Sequence, residues 1–199
     1  MVNINNRKVP KVLDAKEYLY LAINAMSRNE HHAALNYLKE VLALEPQNAN
    51  AIYLLAAEHA ELGLFDRAID EMEHALQLDP NIEVARFQLG LLYLRSNQIE
   101  KASEAFVILS NQTQTESLRA YADGLAALSR DNITTAREKL ALGLSRTNDN
   151  PSLKKDMQEL LDKLLDNKTD LVKRNQGDES EQSAFYLGAY GNKSQSESS

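Results

Sequence analysis

The chain has 199 residues, no cysteine and a formal net charge of -7 at pH 7. The lack of cysteine excludes disulfide bonds, thiolate metal ligands and cysteine nucleophiles. The excess of acidic side chains argues against a general nucleic-acid binder, because such a protein needs a basic face to displace counterions from phosphates. A chain of this length most simply forms one domain with terminal tails.

The N-terminal residues predict a short arm followed by a helix start. Residues 1–13 are polar and basic, and we expect them to form a flexible arm. Asp14, with Glu17 three residues later, is typical of a helix N-cap with a capping box. The arm lacks the apolar stretch of a secretory signal, and no run of about 18 apolar residues occurs in the chain. We therefore expect a cytoplasmic protein with no direct membrane insertion.

From residue 15 onward, residue types recur with a period of 34 positions. Alanine recurs at Ala34, Ala68, Ala102 and Ala136. Small residues recur at Ala22, Ala56, Gly90 and Gly124, and large apolar residues at Leu38, Met72, Phe106 and Leu140. A fixed period of this size is typical of stacked helical hairpins, since one hairpin cannot bury its own apolar face.

We call the residues that occupy the same position in successive repeats a column. A fourth column predicts the turn inside each hairpin. Its members are Asn29, Gly63, Asn97 and Asp131. Gly, Asn and Asp tolerate the left-handed backbone that a tight turn after a helix requires. The small-residue columns in turn allow the two helix backbones to approach closely. Overfilling such a site, as in Ala68→Leu or Gly90→Phe, is expected to cost ~1–3 kcal/mol or more through strain.

These columns resemble the tetratricopeptide repeat (TPR) family, whose 34-residue unit is a helix, a turn and a helix. The second unit carries the pattern at Ile52, Leu55, Ala56, Gly63, Ala68, Met72, Ala75 and Pro80. The resemblance implies an all-α fold, a right-handed α-solenoid of stacked hairpins with units 15–48, 49–82, 83–116 and 117–150. The fourth unit is weaker because Asp123 stands where Leu is expected.

The segment after the repeats predicts one more helix, with Asn150 as its cap and Pro151 at its first position. Apolar residues follow at helical spacing, at Leu153, Met157, Leu160, Leu161 and Leu164. We interpret residues 151–166 as a capping helix that closes the stack, so that the TPR domain spans 14–166. The alternative is a helix that forms a homodimer.

Residues 167–199 predict a flexible polar tail that contains an aromatic motif at 184–190. The apolar members of this tail motif are Phe185, Tyr186, Leu187 and Tyr190. Two interpretations stay open for the motif. It is either a short segment that docks on a surface or a stray apolar stretch.

The resemblance to TPR proteins also implies a binding surface. In that family the first helix of each unit lines a concave groove, with unit positions 5 and 9 among those facing the ligand. Carried over by register, these positions are Leu19, Ile23, Tyr53, Ala57, Phe87, Leu91, Tyr121 and Leu125. We expect an apolar groove with an aromatic ladder at Tyr53, Phe87 and Tyr121, which a partner would cover. The alternative is that these side chains pack between neighbouring helices.

Signals for catalysis or metal binding are weak. The adjacent His31 and His32 cannot both face one metal ion from a regular helix. Asp70 and His74 share a helix face, but two ligands alone are a weak signal, and we expect His59 and the other histidines to be solvated or packed. Asp70, Glu71 and Glu73 are interpreted as a solvated helix face. There is no phosphate-binding glycine loop, no nucleophile elbow and no zinc-protease motif. The sequence predicts a protein that is not an enzyme and that carries no metal and no cofactor.

The function that the sequence predicts is a protein–protein interaction module. We expect an adaptor or small chaperone whose groove binds an apolar or amphipathic segment of a partner protein or peptide. The Lys and Asn residues with which some TPR co-chaperones clamp acidic chaperone tails are absent from the corresponding positions. One alternative is a scaffold subunit of a larger complex, for example in secretion or envelope assembly, that uses its convex face or C-terminal tail. Another is self-regulation, in which the tail motif fills the protein's own groove.

Overall fold

The computed structural model describes residues 13–146 and 150–165, and every regular element in these ranges is an α-helix. The helices are α1 (Ala15–Ser27), α2 (His31–Leu44), α3 (Ala49–Glu61), α4 (Phe65–Leu78), α5 (Glu83–Arg95), α6 (Ile99–Gln112), α7 (Glu116–Leu128), α8 (Ile133–Ser145) and α9 (Pro151–Leu165). Extensive contacts join each helix to the next one in the chain, so that the hairpins stack into an α-solenoid. Residues 1–12 of the predicted arm and the predicted tail, with its motif at 184–190, lie outside the described residues.

The turn inside each hairpin has the same geometry in all four units. Asn29, Asn97 and Asp131 have φ of 57°, and Gly63 has φ of 76°. The next residue donates its N–H to a carbonyl five residues earlier, as Glu30 does to Ala25 at 2.9 Å. This bond pattern is the Schellman motif, which ends a helix with one left-handed residue. The predicted turn column is therefore confirmed.

Helix starts are fixed by side chains that accept backbone N–H groups. The N–H of Glu17 donates to Asp14 at 2.8 Å, and the N–H of Asp14 donates to the Glu17 carboxylate at 3.0 Å. The N–H of Leu153 donates to the Asn150 side chain at 3.0 Å, and α9 begins at Pro151. Both predicted caps are confirmed, each satisfying a backbone donor that the helix itself leaves unpaired.

The small residues of the repeat lie where the two helices of a hairpin are closest. The four periodic alanines, Ala34, Ala68, Ala102 and Ala136, are fully buried. At Gly90 an added Cβ would lie 2.6 Å from the Phe106 ring, well inside van der Waals contact. Phe106 is itself fully buried, so the ring has little room to move away. The close approach that the sequence predicts at this column is present.

The fourth unit departs from the strict period. Its first helix begins at Glu116, one residue earlier than the period predicts, after a connection of residues 113–115 instead of the longer 45–48 and 79–82. Asp123, in the place of the expected Leu, accepts hydrogen bonds from Ser110 on α6 and from Lys139 on α8, the latter at 3.0 Å. The polar residue is accommodated because both neighbouring helices supply it with a donor.

Helix α9 packs against α8 at the C-terminal end of the stack. Its buried side chains are Leu153, Met157, Leu161 and Leu164. The guanidinium of Arg137 on α8 donates to the carbonyl of Leu164, which ties the last turn of α9 to the preceding hairpin. The apolar stripe of α9 is thus buried within its own chain, as a capping role requires.

Candidate functional site

The residues predicted to line the groove form four pairs, one on the first helix of each unit. The two members of a pair are four residues apart, so their side chains share one face of the helix. The pairs are Leu19 and Ile23 on α1, Tyr53 and Ala57 on α3, Phe87 and Leu91 on α5, and Tyr121 and Leu125 on α7. We call this set the first-helix row.

The first-helix row is accessible mainly at its α1 end. Ile23 is 43% exposed, and Leu19 is half-buried. Tyr53 and Phe87 are each only 6% exposed, and Tyr121 is fully buried. The other members of these three pairs, Ala57, Leu91 and Leu125, are buried as well. The three rings of the predicted aromatic ladder are therefore largely buried in this structure.

The aromatic side chains Phe87 and Tyr121 pack inside their own hairpins. The Phe87 ring packs edge-on against Phe106 of α6, with centroids 6.0 Å apart. Tyr121 lies against Gly143 of α8, where an added Cβ would collide with the ring. Both contacts are of the kind expected if these side chains pack between neighbouring helices. A direct role for them in partner binding stays a prediction.

Helix α1 carries an apolar surface that the groove prediction only partly identified. Tyr20 is 67% exposed, and it precedes the exposed Ile23 by three residues on the same side of the helix. Together with the half-buried Leu19, these residues form what we call the α1 surface. Among the described residues no preceding hairpin covers α1, since it is the first helix of the stack. Tyr20 falls outside the unit positions that the family pattern assigns to the groove, and for this reason it was missed.

A second apolar exposure lies at the turn between α3 and α4. Leu62 and Leu64, on either side of Gly63, are 46% and 48% exposed. The corresponding residues of the other turns are polar: Arg28 and Glu30, Ser96 and Gln98, and Arg130 and Asn132. We call Leu62 and Leu64 the turn leucines. The comparison between units shows that the repeat does not require apolar residues at this edge.

The acidic residues of α4 are only partly a solvated face. The Glu71 side chain is 19% exposed, and it pairs with the buried His59 at 2.6 Å and with Arg67 at 3.0 Å. Glu73 accepts a hydrogen bond from the hydroxyl of Tyr93, and burial together with this bond raises the pKa of Tyr93. The prediction holds for the exposed Asp70 and is wrong for Glu71, because α3 supplies a histidine that the α4 sequence alone does not reveal.

Two classes of feature are missing from residues 13–146 and 150–165. In these ranges no group of three or more His, Asp or Glu side chains is arranged to hold a metal ion. None of the described helices combines the length and the apolar character needed to cross a bilayer.

The match to known families decides the classification. The tetratricopeptide repeat family model matches residues 25–73 and 59–128, which together span more than half of the chain. The chain belongs to the tetratricopeptide repeat family. The family that the repeat columns suggested is confirmed, and a TPR solenoid is an architecture of protein–protein interaction modules.

Curated relatives share the TPR region. The chain is 28% identical over 117 residues to small glutamine-rich tetratricopeptide repeat-containing protein 2 of Mycosarcoma maydis, an alignment covering 56% of this chain and 33% of that protein. It is 29% identical over 82 residues to the protein of the same name in Saccharomyces cerevisiae, covering 41% and 24%. The match spans a third or less of the length of these relatives, so the likeness concerns the repeats and not the whole proteins.

Solved structures agree on the fold. A MamA double mutant aligns with a TM-score of 0.60 at 20% identity, over 78% of this chain and 85% of that one. MamA from Desulfovibrio magneticus RS-1 aligns with a TM-score of 0.58 at 20% identity, over 76% and 93%. Cut9–Hcn1 of the APC/C aligns with a TM-score of 0.61 at 20% identity, over 77% and 32%. Similarity at this identity concerns the fold alone, and it confirms the predicted α-solenoid.

Proposed function

We propose that this TPR protein is a non-enzymatic cytoplasmic adaptor or small chaperone that binds an apolar or amphipathic segment of a partner protein. The observation that carries the proposal is the α1 surface, where Tyr20 and Ile23 are 67% and 43% exposed. Large apolar side chains that lie together on a surface mark interaction sites more often than scattered ones do. Burying a side chain of this size against a partner contributes about 1.5–3 kcal/mol.

Helix α1 is held in place by its own hairpin. Its buried residues Ala15 and Ala22 lie in one apolar cluster with Leu38 and Val41 of α2. A preorganised surface loses little conformational entropy on binding, and this favours affinity. The buried side of α1 thus supports the proposed binding at its exposed side.

A specific observation also supports the scaffold alternative. The turn leucines lie at the edge of the stack, where the other three turns are polar. A subunit that assembles edge-on into a larger complex would bury these two side chains. The two proposals thus place the partner on different residues, and one experiment separates them.

The experiment compares surface variants in a quantitative pull-down from native extract. The α1 variant combines Tyr20→Ser with Ile23→Asp, and the edge variant combines Leu62→Ser with Leu64→Gln, the residues of the third turn. Leu142→Asp is the matched control, because Leu142 is 41% exposed on α8, away from both surfaces. All five positions are exposed, so the fold should survive, as circular dichroism would verify.

If the adaptor proposal is correct, only the α1 variant should lose affinity for the partner, by at least about tenfold. A tenfold loss of affinity corresponds to roughly 1.4 kcal/mol of binding free energy. Loss with the edge variant alone would favour the scaffold. Retention by both variants would contradict both proposals. Phe87→Glu is not a useful test, because a charge at a buried position would measure folding instead of binding.

A further inference from the structure

A partly buried contact between a histidine and a glutamate joins α2 to α3. The imidazole Nδ1 of His31, the first residue of α2, lies 2.9 Å from Oε2 of Glu58 on α3. The Glu58 side chain is fully buried, whereas His31 is 33% exposed. Only one carboxylate oxygen of Glu58 is engaged in this way. Its Oε1 is buried and accepts no hydrogen bond from any residue in the described part of the chain.

A second carboxylate lies beside the first. Glu61 follows Glu58 by three residues on α3, so the two side chains share one side of the helix. Oε1 of Glu61 is also buried and receives no hydrogen bond within the described ranges, although the residue as a whole is partly exposed. Burial, followed by the charge of Glu58, raises the pKa of Glu61 to about 7, and His31 opposes this rise. We call His31, Glu58 and Glu61 the acidic notch.

The electrostatics of the acidic notch favour a cation. Two carboxylates share one histidine, and both lie in the last turn of α3, where the helix dipole also disfavours negative charge. Buried carboxylate oxygens without a donor are costly, which makes the pair a strong acceptor for any donor that reaches it. A metal ion is not suited, since no three such groups in the described residues have metal-binding geometry.

We propose that the acidic notch binds the ammonium or guanidinium group of a Lys or Arg side chain carried by the partner segment. Glu61, which is partly exposed, makes the direct contact at the mouth of the notch. Glu58 lies at its floor and attracts the cation through space, in a poorly screened environment. This inference rests on the proposed function, because it names the chemistry of the segment that the adaptor binds.

The place of the notch in the repeat supports this assignment. Glu61 lies one helical turn beyond Ala57, on the same face of α3. Ala57 and the exposed Ile23 occupy the same position in successive units, so the notch borders the first-helix row one unit after the α1 surface. In this proposal, a segment that buries apolar side chains on α1 places a basic side chain at Glu61. The bound segment is amphipathic and basic, which also suits the net charge of -7.

The test uses three designed 15-residue amphipathic helical peptides that differ at one central position, which is Lys, norleucine or Glu. Fluorescence anisotropy measures their affinities for the full chain. The test variant is Glu58→Gln with Glu61→Gln, and the control is Glu40→Gln with Glu138→Gln, which has the same net charge and changes two exposed residues. A single Glu61→Gln variant serves if the double variant proves unstable, because Glu61 is partly exposed.

We expect wild type and control to bind the Lys peptide roughly tenfold more tightly than the norleucine peptide, as for a close charge pair that is partly shielded from water. The test variant should lose this preference and keep its affinity for the norleucine peptide. Equal affinities in wild type, or a preference that persists in the test variant, would overturn the acidic notch and leave the adaptor proposal standing. Failure of all three peptides to bind wild type would overturn both.

Discussion

At the scale of single residues, Glu61 is a side chain whose charge depends on the fold. It lies with Glu58 at the end of α3. Burial and the charge of Glu58 raise the pKa of Glu61, and the nearby His31 partly offsets this rise. An ionised carboxylate in this position loses hydration, and no residue in the described ranges donates a hydrogen bond to its buried oxygen. The negative charge is therefore less favourable in the folded protein than in the unfolded chain, and stability should depend on pH.

The first prediction follows from the sign of this shift. The carboxyl ionises near 4.5 when unfolded and near 7 when folded, so the folded state binds more protons between these values. The contribution of Glu61 thus makes the protein less stable as pH rises from about 4.5 to about 7. Glu61→Gln should match wild type near pH 4.5 and exceed its free energy of unfolding above pH 7. We expect a gain of about 1 kcal/mol or less, since partial exposure screens the charge.

Urea denaturation across this pH range measures the effect. Glu40→Gln is the control, because it removes the same charge from an exposed site on α2 and should give a difference that is flat with pH. A Glu61→Gln variant that is less stable than wild type at pH 8 would contradict the assignment. So would a stability difference that does not change with pH.

Features of single residues were the hardest to predict from the sequence. The burial of Glu58, the contact between His59 and Glu71 and the exposure of Tyr20 all depend on which neighbouring helix covers the side chain. Periodicity describes a helix face but not what lies against it. Asp14, Asn29 and Asn150 were predictable, because capping and turn chemistry act within a few residues of the chain.

At the scale of helices, the fit within a hairpin depends on complementary sizes at two columns of the repeat. The pairs are Ala22 with Leu38, Ala56 with Met72, Gly90 with Phe106, and Gly124 with Leu140. The largest side chain of the second column is matched by a glycine. In the fourth unit, the large side chain of Tyr121 on α7 lies against Gly143 on α8. At the position of Gly143, the first three units carry the larger residues Val41, Ala75 and Leu109. The glycine in the fourth unit is the feature of the sequence that indicates the packing of Tyr121 against α8.

The second prediction compares the glycines of one column. In Gly90→Ala the new Cβ would lie 2.6 and 2.7 Å from ring atoms of the buried Phe106, whereas in Gly124→Ala the nearest atom is Cγ of Leu140 at 3.0 Å. Alanine improves helix propensity by about 1 kcal/mol at both sites. We expect Gly90→Ala to lose about 1–2 kcal/mol net through overpacking and Gly124→Ala to be close to neutral.

Urea unfolding measures these differences. If the dependence of the free energy of unfolding on urea concentration is the same in all variants, a shift of the midpoint reports a change in stability. If Gly90→Ala is as stable as wild type, the ring of Phe106 moves more freely than the packing implies. If Gly124→Ala is the more damaging of the two, the size match between the columns does not control hairpin packing.

At the scale of the whole molecule, the hairpins stack so that most of the first-helix row is enclosed. The fold class and the helix order could be predicted because one period repeats four times and each unit depends only on its neighbours. The accessible part of the binding surface could not, because identical unit positions differ in exposure along the stack. Ile23 is 43% exposed, whereas Leu125, at the same position in the fourth unit, is 2% exposed.

If a partner segment lies on α1, site-specific photocrosslinking from α1 should capture it. A benzophenone amino acid would replace Ile23 in one variant and Leu142 in another, two exposed positions on different helices. After irradiation in native extract, we expect a discrete adduct from position 23, competed by an amphipathic basic peptide, and none from position 142. An adduct from position 142 alone, or none from position 23, would contradict the binding of a partner segment to α1.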